Sequence, residues 1–100
     1  MIVAANATVP GVIECLAEAE SVARCGGDAR VLLTEDGLEV LSGPWIARLA
    51  EAHVAVSLCT RSAHARRVAP EGVPASVPWS SLTTFLASAP EGARLWTAFP

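Results

Sequence analysis

Residues 54–63 read VAVSLCTRSA, and this stretch decides the fold that the sequence predicts. Its first part is a short apolar run, typical of a strand that is buried within a parallel sheet. The run ends at Cys59, and the pattern of residues 62–68 favours a helix. A buried strand followed by a helix is the repeating unit of parallel α/β sheets.

The same alternation continues upstream. Apolar runs at residues 2–5 and 30–34 predict two further strands. Between them, apolar residues recur at helical spacing until the glycine pair at residues 26–27, which predicts a helix end because glycine adopts the left-handed conformation cheaply. Two short helical stretches, separated by Ser42-Gly43-Pro44, precede the third strand, which is predicted over residues 53–59.

Downstream, three prolines and a glycine in residues 70–78 predict a loop with at most a short edge strand. Ser80-Ser81 then caps a last helix. A closing strand is predicted over residues 94–99. The side chains expected on the inward face of the last helix are Leu82, Phe85, Leu86 and Ala89.

Strands that alternate with helices predict one α/β domain over residues 1–100, with right-handed crossovers and helices on both faces of the sheet. Four or five strands in 100 residues predict a flavodoxin-like three-layer sandwich with a mostly parallel sheet. The chain is 52% hydrophobic, which excludes disorder and is more apolar than a lone small domain needs. We therefore expect self-association.

The charge pattern argues against nucleic-acid and anionic-membrane partners. The net charge is −3 and all seven basic residues are arginines, scattered without a basic stripe. No apolar run approaches the ~20 residues that span a bilayer, and the N-terminus lacks a signal-peptide pattern. The three cysteines have no metal-ligand spacing, so the sequence predicts a reduced, cytoplasmic protein without metal or cofactor.

Ligand sites in open parallel sheets form outside the carboxyl ends of the strands. Three segments meet that condition: the first contains Asn6 and Thr8, the second contains Asp36 and Gly37, and the third is residues 59–62. Asp36 has two readings, as an acid/base group or, more commonly, as a cap at the start of a helix.

Among the residues of these segments, Cys59 is the strongest candidate for a reactive side chain. A thiol at a helix N-terminus gains thiolate character from the peptide dipoles, and Arg61 and His64 add possible positive charge. Such a thiolate can attack a sulfur donor and hold the sulfur as a persulfide. The alternative is a small buried side chain of a core strand, which is a common fate of free cysteine. Cys15 is expected in the core, and Cys25 is expected to be inert at a helix end.

Two segments resemble the DsrE/DsrF-like (TusD-like) sulfur-relay family. The first is LLTEDGL at residues 32–38, and the second is the opening stretch, whose strand ends in cysteine and continues towards Ser62 and Ala63. The stretches at residues 77–82 and 95–99 also lie where that family has them. The chain departs from it in lacking a glycine after the third strand, at Arg66-Arg67-Val68.

The resemblance implies a flavodoxin-like fold, assembly into homotrimers or homohexamers, and transfer of sulfur between donor and acceptor proteins. Cys59 matches the family's sulfur-accepting cysteine, with Arg61, Ser62 and His64 beside it. Two alternatives stay open. One is a non-catalytic DsrF/TusC-like subunit in which Cys59 is structural. The other is a small anion- or nucleotide-binding module that uses the segments around Asp36-Gly37 and residues 59–62.

Overall fold

The computed structural model describes residues 2–5, 9–89 and 95–97. Within these ranges the chain forms a five-stranded sheet in the order β4-β3-β2-β1-β5, and every neighbouring pair is parallel. The predicted parallel α/β architecture is therefore confirmed, and it is compatible with a flavodoxin-like fold. The strands are β1 (Ile2–Ala5), β2 (Arg30–Leu33), β3 (Ala55–Cys59), β4 (Trp79–Ser80) and β5 (Leu95–Thr97).

Four α-helices connect the strands in the described part of the chain. They are α1 (Val9–Arg24), α2 (Trp45–Glu51), α3 (Thr60–Ala65) and α4 (Leu82–Ala87), and two 3-10 helices cover Glu35–Ser42 and Pro70–Gly72. As predicted, α1 ends shortly before the glycine pair: Gly26 adopts a φ of 88°, and the N–H of Gly27 donates to the carbonyl of Val22 at 2.9 Å. None of the helices described is long and apolar enough to cross a membrane.

The strand order divides the helices between the two faces of the sheet. The first three connections each move one strand in the same direction, so right-handed crossovers place α1, α2 and α3 on one face. The fourth connection returns across the sheet from β4 to β5 and contains α4, which places α4 on the other face.

Side-chain packing agrees with this division. The larger core cluster joins alternate residues of the central strands to helices on the first face; its members include Val12, Leu16, Val31, Leu33, Leu49, Val56, Leu58 and Ala63. The intervening strand residues Leu32 and Cys59 form a separate small cluster with Phe85 of α4. Among the residues whose burial the structure describes, one face of the sheet holds the larger cluster and the other holds this small one.

Four local predictions were wrong. Leu82 and Leu86 were expected to point inward but are 47% and 41% exposed, because α4 has only six residues and buries only Phe85. His53 is not part of β3: it is exposed, with a φ of 65°, and β3 begins at Ala55. Helix α3 occupies residues 60–65 rather than 62–68, and the edge strand β4 follows the loop rather than lying within it.

An ion pair fastens α2 to α1 on the face with the larger core. The Arg48 guanidinium donates to both carboxylate oxygens of Glu20, at 2.6 and 2.8 Å, and lies 4.5 Å from the ring centre of Trp45. Arg24 adds a contact of 3.7 Å to the same carboxylate, which is 10% exposed. The hydrogen bonds from Arg48 hold the pKa of the Glu20 carboxyl below its ordinary value, although burial acts in the opposite direction.

We expect this pair to give the fold a pH-dependent part of its stability. Because the folded pKa of Glu20 is lowered, the contribution is complete above the ordinary glutamate pKa of about 4.3 and is lost as pH falls through the folded value. Urea unfolding at pH 7 and near pH 3 measures the loss. Glu20→Gln should show a smaller loss than the natural chain, whereas the exposed-site control Glu18→Gln should match it. Equal losses in all three proteins would contradict the assignment.

The cap of α4 allows a second stability test. Ser81 Oγ accepts a hydrogen bond from the Thr84 N–H at 3.1 Å, as an N-cap residue does. Ser81→Ala should therefore lower the free energy of unfolding by about 1 kcal/mol, as measured by urea denaturation. The neighbouring Ser80→Ala is the matched control, since Ser80 caps no helix N–H in the described chain. A loss for Ser80→Ala as large as that for Ser81→Ala would contradict this reading.

Candidate functional site at the carboxyl edge of the sheet

Parallel strands bring two of the three predicted segments to one edge of the sheet. Strands β2 and β3 are neighbours; the first 3-10 helix follows β2, α3 follows β3, and these two helices contact each other. Asn6 and Thr8 follow β1 but lie outside the described residues. Asp36 belongs to the 3-10 helix, although its side chain also lies outside the description. Gly37 is buried, and its N–H donates to the carbonyl of Thr34 at 2.8 Å.

Cys59 is the last residue of β3 and the N-cap residue of α3, at the place that the sequence predicts. Its side chain belongs to the small cluster with Leu32 and Phe85, against which Ala89 also packs. Cys59 is only 8% exposed. In this conformation the thiol is therefore covered by apolar side chains, with α4 supplying the aromatic one.

Two exposed arginines belong to α3 and the turn that follows it, close to Cys59 in sequence. Helix α3 has only six residues, so its dipole is small compared with that of a long helix. Arg61, two residues after Cys59, is exposed and forms no ion pair with any residue that the structure describes. Arg67 is likewise exposed and unpaired among those residues, with a φ of 55° at the turn after α3.

His64 and Ser62 of α3 lie in surroundings that differ from those of the Cys59 side chain. The exposed His64 ring lies 5.9 Å from the ring of Trp79, centre to centre, at an interplanar angle of 53°. Trp79 packs against the larger core cluster, on the face of the sheet opposite the thiol. Ser62 is buried at 4% exposure within α3, beside the core residue Ala63. Among the predicted supporting residues of α3, Arg61 carries an exposed charge.

The three cysteines occupy three different environments and all are free thiols. Cys15 is 1% exposed in the larger core, as predicted, and burial raises the pKa of its thiol, with a smaller contribution from Glu14. Cys25 is exposed just after α1. The described residues contain no group of three or more histidine, cysteine, aspartate or glutamate side chains arranged to hold a metal ion.

Ser57 and Ser80, which lie beside Cys59 in the sheet, were not predicted as its neighbours. Ser57 lies two residues before Cys59 and shares its face of the sheet, so the two-residue period of a strand was the signal that could have found it. Ser80 pairs with Cys59 in the parallel register of β3 and β4. The approach of Phe85 depends on the path of α4 across the sheet, and no local sequence signal encodes it.

The comparison with solved structures identifies a shared fold. The YchN protein from E. coli superposes with a TM-score of 0.77 over 96% of this chain and 96% of its own, at 17% sequence identity. No family model matches the chain, and no curated protein matches it. The likeness to YchN shows the fold alone.

The burial of Cys59 predicts the cost of a polar replacement. Cys59→Ser places a hydroxyl among Leu32 and Phe85, so we expect a loss of about 1–3 kcal/mol in the free energy of unfolding. The exposed Cys25→Ser should change it by no more than about 0.5 kcal/mol. Urea denaturation under reducing conditions measures both values. Equal effects of the two substitutions would show that Cys59 is not packed as described.

Proposed function

We propose that this protein is a DsrE-like sulfur-relay protein that accepts persulfide sulfur on Cys59 and passes it to the thiol of a partner protein. The observation that carries the proposal is the position of Cys59 at the end of β3, on the carboxyl edge of an all-parallel sheet. The sequence around it resembles the family's sulfur-accepting segment, and the fold is shared with YchN over almost the whole of both chains. The flavodoxin-like sandwich and a homotrimeric or homohexameric assembly belong to the same proposal.

The transfer is a thiol exchange in two steps. The Cys59 thiolate attacks the outer sulfur of a donor persulfide, a new S–S bond forms at Cys59, and the donor's own S–S bond breaks, so that the donor leaves as a thiolate. An acceptor thiolate then attacks the outer sulfur on Cys59, and Cys59 leaves as a thiolate. No net oxidant or reductant is needed. The exposed Arg61 supplies positive charge beside an anionic donor or acceptor.

A second function is favoured by one specific observation, the 8% exposure of Cys59. In that case the chain is a non-transferring subunit of a DsrF/TusC-like kind, and Cys59 fills the space between β3 and α4. Both functions use the same fold. They differ in whether the thiol reacts with a persulfide.

Intact mass spectrometry after incubation with a persulfide donor separates the two functions. The sulfur-relay proposal predicts a gain of about 32 Da that a reducing agent removes. The gain should disappear in Cys59→Ala and persist in Cys25→Ala, which removes the most exposed cysteine. Cys15→Ala serves as the control for a buried thiol. If the natural chain and Cys59→Ala gain the same mass, or neither gains any, the non-transferring subunit is the correct function.

A further inference from the structure

In the described part of the chain, few buried apolar side chains lie on the sheet face that carries Cys59. Strand alternation and register place Ser57 and Ser80 on the same face, and both are half-buried. Ala55, at the other end of β3, is exposed. Cys59 is nevertheless only 8% exposed, and the described side chains that pack with it are those of the cluster to which α4 contributes Phe85.

Helix α4 covers this face with a single buried side chain. Phe85 is 6% exposed and is the one buried residue of α4, whereas Leu82 and Leu86 face solvent. By contrast, the helices on the other face contribute most of the larger core. A six-residue helix with one buried anchor can separate from the sheet locally, at a lower cost than opening the larger core.

A polar contact fixes the C-terminal end of α4 to the sheet. Arg30, the first residue of β2, donates a hydrogen bond of 2.8 Å to the carbonyl of Ser88, the C-cap residue of α4. Asp28 accepts two hydrogen bonds from the same guanidinium, at 3.2 and 3.0 Å, and so orients it. Arg30 lies on the same sheet face as Leu32, which is the face that α4 covers.

We propose that Phe85 determines access to Cys59, and that the hydrogen bond from Arg30 to Ser88 holds α4 in the closed position. Movement of Phe85 away from the sheet opens the thiol onto a surface with Ser57 and Ser80, while the larger core stays intact. Phe85 thus takes no part in the chemistry of the thiol; it holds α4 over Cys59. The functional role of this access rests on the proposed sulfur relay, but the accessibility of the Cys59 thiol can be measured without any persulfide.

Residue-specific alkylation tests this role with controls inside the same chain. Trypsin cleaves after Arg24, Arg30, Arg48 and Arg61, so each cysteine is recovered on a different peptide. The chain is treated with iodoacetamide under native conditions, and the modification rate of each peptide is followed by mass spectrometry. In the natural chain we expect Cys25 to react fast, and Cys15 and Cys59 to react slowly.

Phe85→Ala should raise the Cys59 rate by about tenfold or more and leave the Cys15 rate unchanged, because only the α4 side opens. Phe85→Leu should restore most of the protection.

Arg30→Gln should raise the Cys59 rate without altering the apolar cluster, and the exposed-site control Leu86→Ala should leave it unchanged. A substitution that only destabilised the whole fold would raise the alkylation rates of Cys15 and Cys59 together.

The proposal is overturned if Cys59 of the natural chain reacts as fast as Cys25, or if Phe85→Ala changes the Cys15 and Cys59 rates by the same factor. If Phe85→Ala does not fold by circular dichroism, Arg30→Gln decides: an unchanged Cys59 rate overturns the proposal. A chain that takes up no persulfide but shows the expected alkylation pattern contradicts the sulfur relay and leaves the role of Phe85 standing.

Discussion

The two-residue alternation of side chains along β3 is the constraint on which the rest of this structure depends. Leu58 points into the larger core and Cys59, the next residue, points to the opposite face of the sheet. A shift of one residue in the register of β3 would exchange the two faces and place the thiol among the helices of the first face. The chemistry available to Cys59 is therefore decided by the same pattern that builds the core.

In the described part of the chain, the two faces of the sheet differ in how many buried apolar side chains they hold. On the first face, α1 and α2 bury apolar side chains and are joined by the ion pair between Glu20 and Arg48. On the second face, α4 brings Phe85, with Ala89 packed beside it, and a hydrogen bond from Arg30. Stability is distributed unevenly in such a structure, and local opening is cheapest where few apolar contacts are made. The thiol that the proposed relay uses lies on the lightly covered side.

Strong local signals made much of the fold predictable. Apolar runs marked β1, β2 and β3, the glycines after α1 marked its end, and Ser81 was expected as a cap of α4. The prediction that Leu82 and Leu86 point inward was wrong. Helical spacing shows that a helix has an apolar side, but it does not show how much of that side the sheet covers. The six residues of α4 leave room for one buried anchor, and that anchor is Phe85.

The candidate site was predictable in position and not in accessibility. Topology alone brings the ends of β2 and β3 to one edge, so the location of Cys59 followed from the strand pattern. Its cover by Phe85 joins residues 26 positions apart in the chain and depends on the path of the last crossover, which no local motif records. The sequence left open whether His64 assists the thiol, and the structure places its ring 5.9 Å from the ring of Trp79.

The most direct test of the central claim is to locate the added sulfur among the three cysteines after brief exposure to a persulfide donor. If exposure alone decided which thiol reacts, the sulfur would be found on Cys25, whereas Cys15 is protected by burial. The three cysteines lie on three different tryptic peptides, so each can be followed separately. We expect the sulfur on the peptide of residues 49–61, which carries Cys59. Sulfur found on the peptide of residues 25–30, with none on Cys59, would contradict it.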